Sequence, residues 1–176
     1  MSQRTALFPG TFDPVTHGHV DLVRRGLDLF DRVVVGVVAD QGRPLFPAEE
    51  RVHLLGAVLA AEGLAEGRRL VVAPFRGLVV EAARAHGACC LLRGIRGALD
   101  WDYEMRMAFA NRDLAPEVDT VFLPPSAATG AISASLVREV ARLGGSVDAW
   151  VHPLVAQALA ARIGATGGQD GPPAKG

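Results

Sequence analysis

The sequence lacks an excess of charge of either sign: Lys plus Arg number 18 and Asp plus Glu 19, which leaves a formal charge of −1. Without a global positive field, recruitment to nucleic acid or to anionic lipid is excluded as the organising function, and any anion site has to be local. Long apolar runs are missing too. Those present are broken by Arg, Asp or Gly well before the ~20 residues of a membrane span, and Met1 is not followed by a signal-peptide core, which points to a cytoplasmic protein. Only two cysteines occur, Cys89 and Cys90, adjacent and inside an apolar stretch. They suit a pair of small buried hydrophobes in a reducing compartment rather than a disulfide or metal framework. The phosphate-loop pattern Gly-x-x-x-x-Gly-Lys-Ser/Thr, His-Glu-x-x-His and Cys-x-x-Cys are all absent, so no protein-held metal is expected and a nucleotide has to bind by another route.

What is present is a chain of 176 residues, 49% apolar, enough for one well-buried domain and too short for two ordinary ones. Short β-rich runs at Thr5–Phe8, Arg32–Val38, Leu70–Ala73, Cys89–Leu92 and Thr120–Leu123 read as strands, most of them apolar on both faces. Between them Val20, Val23, Leu27 and Phe30 fall at helical spacing, as do Val52, Leu55 and Leu59. Further helices are predicted over Leu78–His86, Trp101–Asp113 and Ser135–Arg142. A last one, about Pro153–Ile163, opens on a proline and carries Leu154, Val155, Ala158 and Leu159 on one face. The alternation predicts a single-domain α/β protein over residues 1–163, a doubly wound parallel sheet with C-terminal helices, whose ligands bind beyond the carboxyl ends of the strands. Residues 164–176 hold no apolar side chain larger than alanine and read as a disordered tail.

The loop after the first strand, Phe8-Pro9-Gly10-Thr11-Phe12-Asp13-Pro14-Val15-Thr16-His17-Gly18-His19, is a turn that runs into a helix start. A helix N-terminus offers free N–H groups and a positive dipole end, Thr11 a hydroxyl, and Gly18 room for close approach, so the segment suits an anion. His17 and His19, two residues apart, point in different directions, and at most one faces a ligand. Asp13 is readable as a turn residue. Beyond the fourth strand, Arg93 and Arg96 are where an enzyme of balanced charge would gather its phosphate donors. Asp102 and Glu104 sit near a predicted helix start, where acids favour the dipole. Ser133 and Ser135 precede an apolar helix, where serines either cap the helix or hold phosphate; the sequence leaves both open.

The first-strand loop resembles the signature of the nucleotidyltransferases that carry (T/H)-x-G-H, here Thr16-His17-Gly18-His19, and within them Pro-Gly-Thr-Phe-Asp-Pro-x-Thr-x-Gly-His is similar to the phosphopantetheine adenylyltransferases. Five further segments resemble that family in its order: Pro44-Leu45-Phe46 with Glu49-Glu50-Arg51, Leu92–Arg96, Asp102–Met105, Asn111-Arg112 and Ile132–Glu139. The resemblance spans about Arg4 to Ile163. It implies a Rossmann-like nucleotidyltransferase fold, adenylyl transfer from ATP to 4′-phosphopantetheine by direct in-line attack on the α-phosphate, coenzyme A as a possible feedback inhibitor, and a homohexamer. Magnesium would arrive with ATP and need few protein ligands.

The resemblance also implies roles. His19 stabilises the transition state at the α-phosphate. The ATP site takes Thr11, Phe12, His19, Gly94, Ile95, Arg96, Glu104, Thr129, Gly130, Ala131, Ile132, Ser133, Ala134 and Ser135. The acceptor site takes Thr11, Arg43, Leu78, Val79, Arg93, whose guanidinium meets the acceptor's phosphate, and Asn111. The chain departs from the family pattern in three places. Ala134 stands where the family has a serine, Thr129-Gly130-Ala131 lacks the aromatics of some relatives, and Gly42 occupies the place of a lysine that contacts both substrates' phosphates, in a loop one residue short. Arg43 follows and is expected to reach in, although arginine does not reproduce lysine's geometry. Two other readings stay open: a nucleotidyltransferase with another acceptor, such as nicotinate mononucleotide, and an impaired nucleotide or coenzyme A binding module.

Overall fold

The computed structural model describes residues 3–40, 42–130 and 132–167. Five strands, β1 (Thr5–Gly10), β2 (Arg32–Val38), β3 (Leu70–Phe75), β4 (Cys90–Gly94) and β5 (Asp119–Leu123), alternate with α1 (His17–Leu29), α2 (Ala48–Ala61), α3 (Val79–Ala85), α4 (Ala98–Leu114) and α5 (Ala134–Arg142), and α6 (Pro153–Gly167) closes the order. The sheet runs β3-β2-β1-β4-β5 and every neighbouring pair is parallel, so the strand order reverses at β1. The expected doubly wound α/β sheet is therefore present.

The strands are apolar on both faces because both faces are covered. Ala6, Phe8, Val33, Val35 and Leu92 point to the larger core, which Val20 and Val23 of α1, Leu55 and Leu59 of α2 and Val155 and Leu159 of α6 complete. Leu7, Val34 and Leu91 point the other way, against Val80 and Ala83 of α3 and Ala115 and Val118. α1 lies close to the sheet: a Cβ on Gly26 would meet Leu92 Cδ2 at 2.8 Å, and one on Gly94 would meet Leu22 Cδ1 at 2.6 Å. Glycine at both positions is a packing requirement rather than a turn signal.

One irregularity makes the site. β1 pairs with β2 over six residues, Thr5 to Gly10, but with β4 only at Ala6↔Cys90 and Leu7↔Leu91. Past Leu7 the two central strands part at the switch point, where α/β sheets hold their ligands. The Pro9 carbonyl, left without a ladder partner on that side, accepts instead from Arg93 Nη1 at 2.8 Å.

Several boundaries differ from the sequence reading. Pro9 and Gly10 belong to β1 rather than to a turn, and β3 continues through Pro74, tolerated because β3 is an edge strand. Cys89 is exposed and precedes β4, so only Cys90 is the small buried hydrophobe expected of both. α6 buries Val155 and Leu159 but leaves Leu154 39% exposed. It continues to Gly167, so the first four residues of the expected tail are helical, and residues 168–176 lie outside the described residues. α4 begins three residues before Trp101. Among its described side chains Glu104 and Asn111 are buried, while Trp101, Tyr103, Met107, Phe109 and Leu114 are exposed, three of them (Tyr103, Met107 and Leu114) in the lining of the cavity described next.

Candidate active site

The β1–α1 loop is fastened before it binds anything. Phe12 has φ 49°, a left-handed conformation that a bulky residue holds only when its surroundings impose it. Its ring is buried edge-on against Phe8, centroids 5.3 Å apart, and against His19 at 5.0 Å. Asp13 is a structural tie as well as a turn residue: its buried carboxylate accepts from the Leu45 N–H at 2.7 Å and the Phe46 N–H at 3.0 Å. Arg138 of α5 lies 3.7 Å from the same carboxylate and donates to the Asp13 carbonyl. Arg51 of α2, 1% exposed, donates from Nε to the Phe46 carbonyl (2.9 Å) and from Nη1 to the carbonyls of Thr11 (2.6 Å) and Val38 (2.8 Å). Burial disfavours its charge, and Asp13 nearby offsets part of that effect. Neither tie was predicted from the sequence; Arg51 was noted there only as part of a motif.

His19 sits in the first turn of α1 at the N3 position, in a capping box with Thr16. Its Nδ1 accepts the Thr16 main-chain N–H at 3.0 Å. Burial, then Arg96 and Arg93, push its pKa down from 6.5 to about 4, so the ring is neutral at physiological pH. His17 is partly buried and does not line the cavity, so only one of the two histidines does, in keeping with the spacing.

Arg93, at the end of β4, is held on three sides. Its Nε donates to Glu104 Oε2 at 2.8 Å, Nη2 pairs with Glu104 Oε1, and Nη1 reaches Pro9. Glu104 is 8% exposed and lies two turns into α4, so it anchors Arg93 rather than stabilising a helix start. Asp102, further out, makes an exposed pair with Arg106. The first-turn acid is Asp100, which grips Arg96 through Nε (2.9 Å) and Nη2 (3.2 Å), while Arg96 Nη1 donates to the Ile132 carbonyl. The Arg96 guanidinium pulls the Asp100 carboxyl below its usual range. Ser133 caps α5, its Oγ accepting from the Leu136 N–H at 3.1 Å, and Ser135 Oγ accepts from Arg138 Nη2 at 3.2 Å.

These groups line one cavity of about 740 Å³. Of the residues expected at the site it gathers Thr11, Phe12, His19, Leu78, Val79, Arg93, Gly94, Arg96, Glu104, Asn111, Thr129, Ile132, Ser133, Ala134 and Ser135. Ile95, Gly130 and Arg43 do not line it; Arg43 and Gly42 are exposed, with Gly42 at φ +62°. Ala131 lies outside the described residues. Arg138, Thr16 and Asp100, to which the sequence reading gave no role, are also in the lining. The chain's single lysine is Lys175, so every described cation at the site is an arginine. The lining holds three cationic side chains, Arg93, Arg96 and Arg138, together with apolar ones that include Leu78, Val79, Met107 and Leu114. That mixture suits a ligand that carries both phosphate and a weakly polar arm.

A family model described as cytidylyltransferase-like matches residues 7–140. The chain is 47% identical over 160 residues to a phosphopantetheine adenylyltransferase of Thiobacillus denitrificans, covering 90% of this chain and 97% of that one. It is 49% identical over 161 residues to one of Methylobacterium sp. (strain 4-46), covering 91% and 97%. Among solved structures, a bifunctional NMN adenylyltransferase/ADP-ribose pyrophosphatase of Francisella tularensis, complexed with AMP and a manganese ion, superposes with a TM-score of 0.68 at 13% identity. The match takes 91% of this chain and 49% of that one, and it shows the shared fold alone.

Proposed function

The chain belongs to the phosphopantetheine adenylyltransferases, and from that premise we propose how its residues divide the work. The enzyme transfers the adenylyl group of ATP to 4′-phosphopantetheine, giving dephospho-coenzyme A and pyrophosphate. An oxygen of the acceptor's phosphate forms a bond to the α-phosphorus while the bond to the bridging oxygen of the β-phosphate breaks, and pyrophosphate carries away the electron pair. Such a reaction asks for positioning and for fixed positive charge more than for covalent chemistry.

The observation that carries the assignment of roles is that His19, Arg93 and Arg96 line one cavity where β1 and β4 part. His19 donates a hydrogen bond to a non-bridging α-phosphate oxygen, whose charge grows in the transition state. Arg93, its plane fixed by Glu104 and Pro9, receives the acceptor's phosphate. Arg96, with Ser133, Ser135, Thr129 and the main chain around Gly94 and Ile132, receives the phosphates of ATP, supported by their common lining of the cavity. Thr11, at the mouth of the loop, meets both substrates. Leu78, Val79 and Asn111, in the same lining, receive the pantetheine arm. Glu104 acts through Arg93, and so on the acceptor's phosphate, which departs from the direct contact with ATP that the family resemblance implied. Magnesium enters as the Mg·ATP complex; the acids in the lining, Asp100 and Glu104, are both engaged by arginine, which favours coordination by phosphate oxygens and water.

Coenzyme A shares the adenylyl group and the pantetheine arm with the product and is proposed as a competing occupant of this cavity. A homohexamer is proposed as the assembly, supported by Trp101 and Phe109 on α4, large exposed apolar side chains outside the cavity lining that association would cover. The compartment is proposed to be cytoplasmic; no described helix is long and apolar enough to cross a membrane. The test of the reaction is pyrophosphate release from Mg·ATP with and without 4′-phosphopantetheine, with mass detection of dephospho-coenzyme A. Release that depends on the acceptor, one product per pyrophosphate, is expected; tight ATP binding without turnover would instead support a binding module.

A further inference from the structure

We propose that Thr16 is a positioning residue for His19: its main-chain N–H and its hydroxyl hold Nδ1 as an acceptor, which leaves the ring hydrogen on Nε2 and presents that N–H to the cavity. The proposal rests on the reading of His19 as a donor and extends it to how the donor is prepared.

A capping box normally closes with a Glu or Gln at N3 whose oxygen reaches back to the N-cap N–H. Here N3 is a histidine, and Nδ1 takes the place of that oxygen, 3.0 Å from the Thr16 nitrogen. A main-chain N–H has no other role than to donate, so the nitrogen facing it carries no hydrogen. The Thr16 hydroxyl, 3.1 Å from the same nitrogen, then turns its own hydrogen toward it. With Nδ1 bare, a neutral ring must carry its hydrogen on Nε2, which has no hydrogen-bond partner among the described residues, although His19 lines the cavity. Thr16 is 3% exposed, and its hydroxyl lies against the ring.

The surroundings act in the same direction. Arg93 of β4 and Arg96 just beyond it are the charged groups that act on the ring, and the aromatic rings of Phe8 and Phe12 pack against it. A second ring hydrogen would stand against both arginines and against the Thr16 N–H. The same contacts that start α1 therefore fix a donor at the one place where charge develops, without movement at the moment of reaction.

The decisive experiment is nitrogen NMR of the full chain labelled with ¹⁵N-histidine, at neutral pH and without substrates. The expected result is a pyrrole-like Nε2 and a pyridine-like Nδ1 for His19, identified by the loss of its signals in His19→Gln; a hydrogen on Nδ1 overturns the proposal. Kinetics supply a second arm. Thr16→Val removes the hydroxyl at nearly constant volume and should lower kcat about ten-fold, with both KM values within about two-fold, while Thr16→Ser restores kcat. A valine variant as fast as the wild type overturns the part assigned to the hydroxyl, and if that variant does not fold the spectrum of the unsubstituted protein still decides. Failure of the underlying reading looks different: a fully active His19→Ala removes His19 from the chemistry whatever its tautomer.

Discussion

Lowering the pH tests the state of His19 without altering a residue of the wild type. In the unfolded chain its imidazole titrates near 6.5; in the fold burial, Arg96 and Arg93 bring it to about 4. The folded state thus refuses a proton that the unfolded state accepts, so stability falls as pH falls between those two values and is fully retained above 6.5. At 1.36 kcal/mol per pKa unit the whole effect is roughly 3 kcal/mol, with about 2 kcal/mol already lost at pH 5. Other groups titrate over the same range, so the quantity to measure is a difference: urea unfolding of wild type and His19→Gln at matched protein concentration, from pH 7 to pH 4. The wild type should lose roughly 3 kcal/mol more than the variant. Curves that stay parallel down to pH 4 would mean that the folded histidine titrates like a free one, and the argument for a permanently neutral donor would fall.

Arg93→Ala should raise KM for 4′-phosphopantetheine at least about ten-fold, whereas Arg43→Ala, whose exposed side chain is not in the cavity lining, should change it less than about three-fold, as steady-state kinetics will show. The reverse order would return Arg43 to the part played by the family's lysine. Arg51→Met leaves the carbonyls of Thr11, Val38 and Phe46 without their donor and should cost roughly 3 kcal/mol in chemical denaturation, with a rise in KM for both substrates as the two loops loosen. Gly94→Ala puts a methyl 2.6 Å from Leu22 Cδ1 and should destabilise the fold by about 1–3 kcal/mol, read as a lower Tm.

The fold was largely legible because its signals are local. β2 is readable at its observed ends from an unbroken apolar run, and α1 and α2 from stripes at helical spacing. Errors cluster where the chain meets the ligand. Pro9 and Gly10 look like a turn, but extended backbone tolerates both when the neighbouring strand has parted, and nothing local records that parting. α4 resists periodicity because its buried described side chains, Glu104 and Asn111, are polar, while large apolar ones such as Trp101 and Phe109 are exposed. The glutamate's partner, Arg93, is eleven residues away on a different element. Asp13 and Arg51 are understated by the sequence for the same reason: each acts through main-chain groups that adjacency in sequence does not reveal, 32 residues off for Leu45 and 40 for Thr11. Arg43 is a charge in a plausible position along the chain whose exposed side chain is not in the cavity lining.

The most direct test of the whole account is the steady-state kinetics of His19→Ala with Mg·ATP and 4′-phosphopantetheine. A donor that acts on charge developing at the α-phosphate contributes to the transition state and little to the ground state, so kcat should fall by about two orders of magnitude or more while both KM values stay within about two-fold. An unchanged kcat, or a normal kcat with raised KM, would contradict the role of His19 as transition-state donor and, with it, the site built around that histidine.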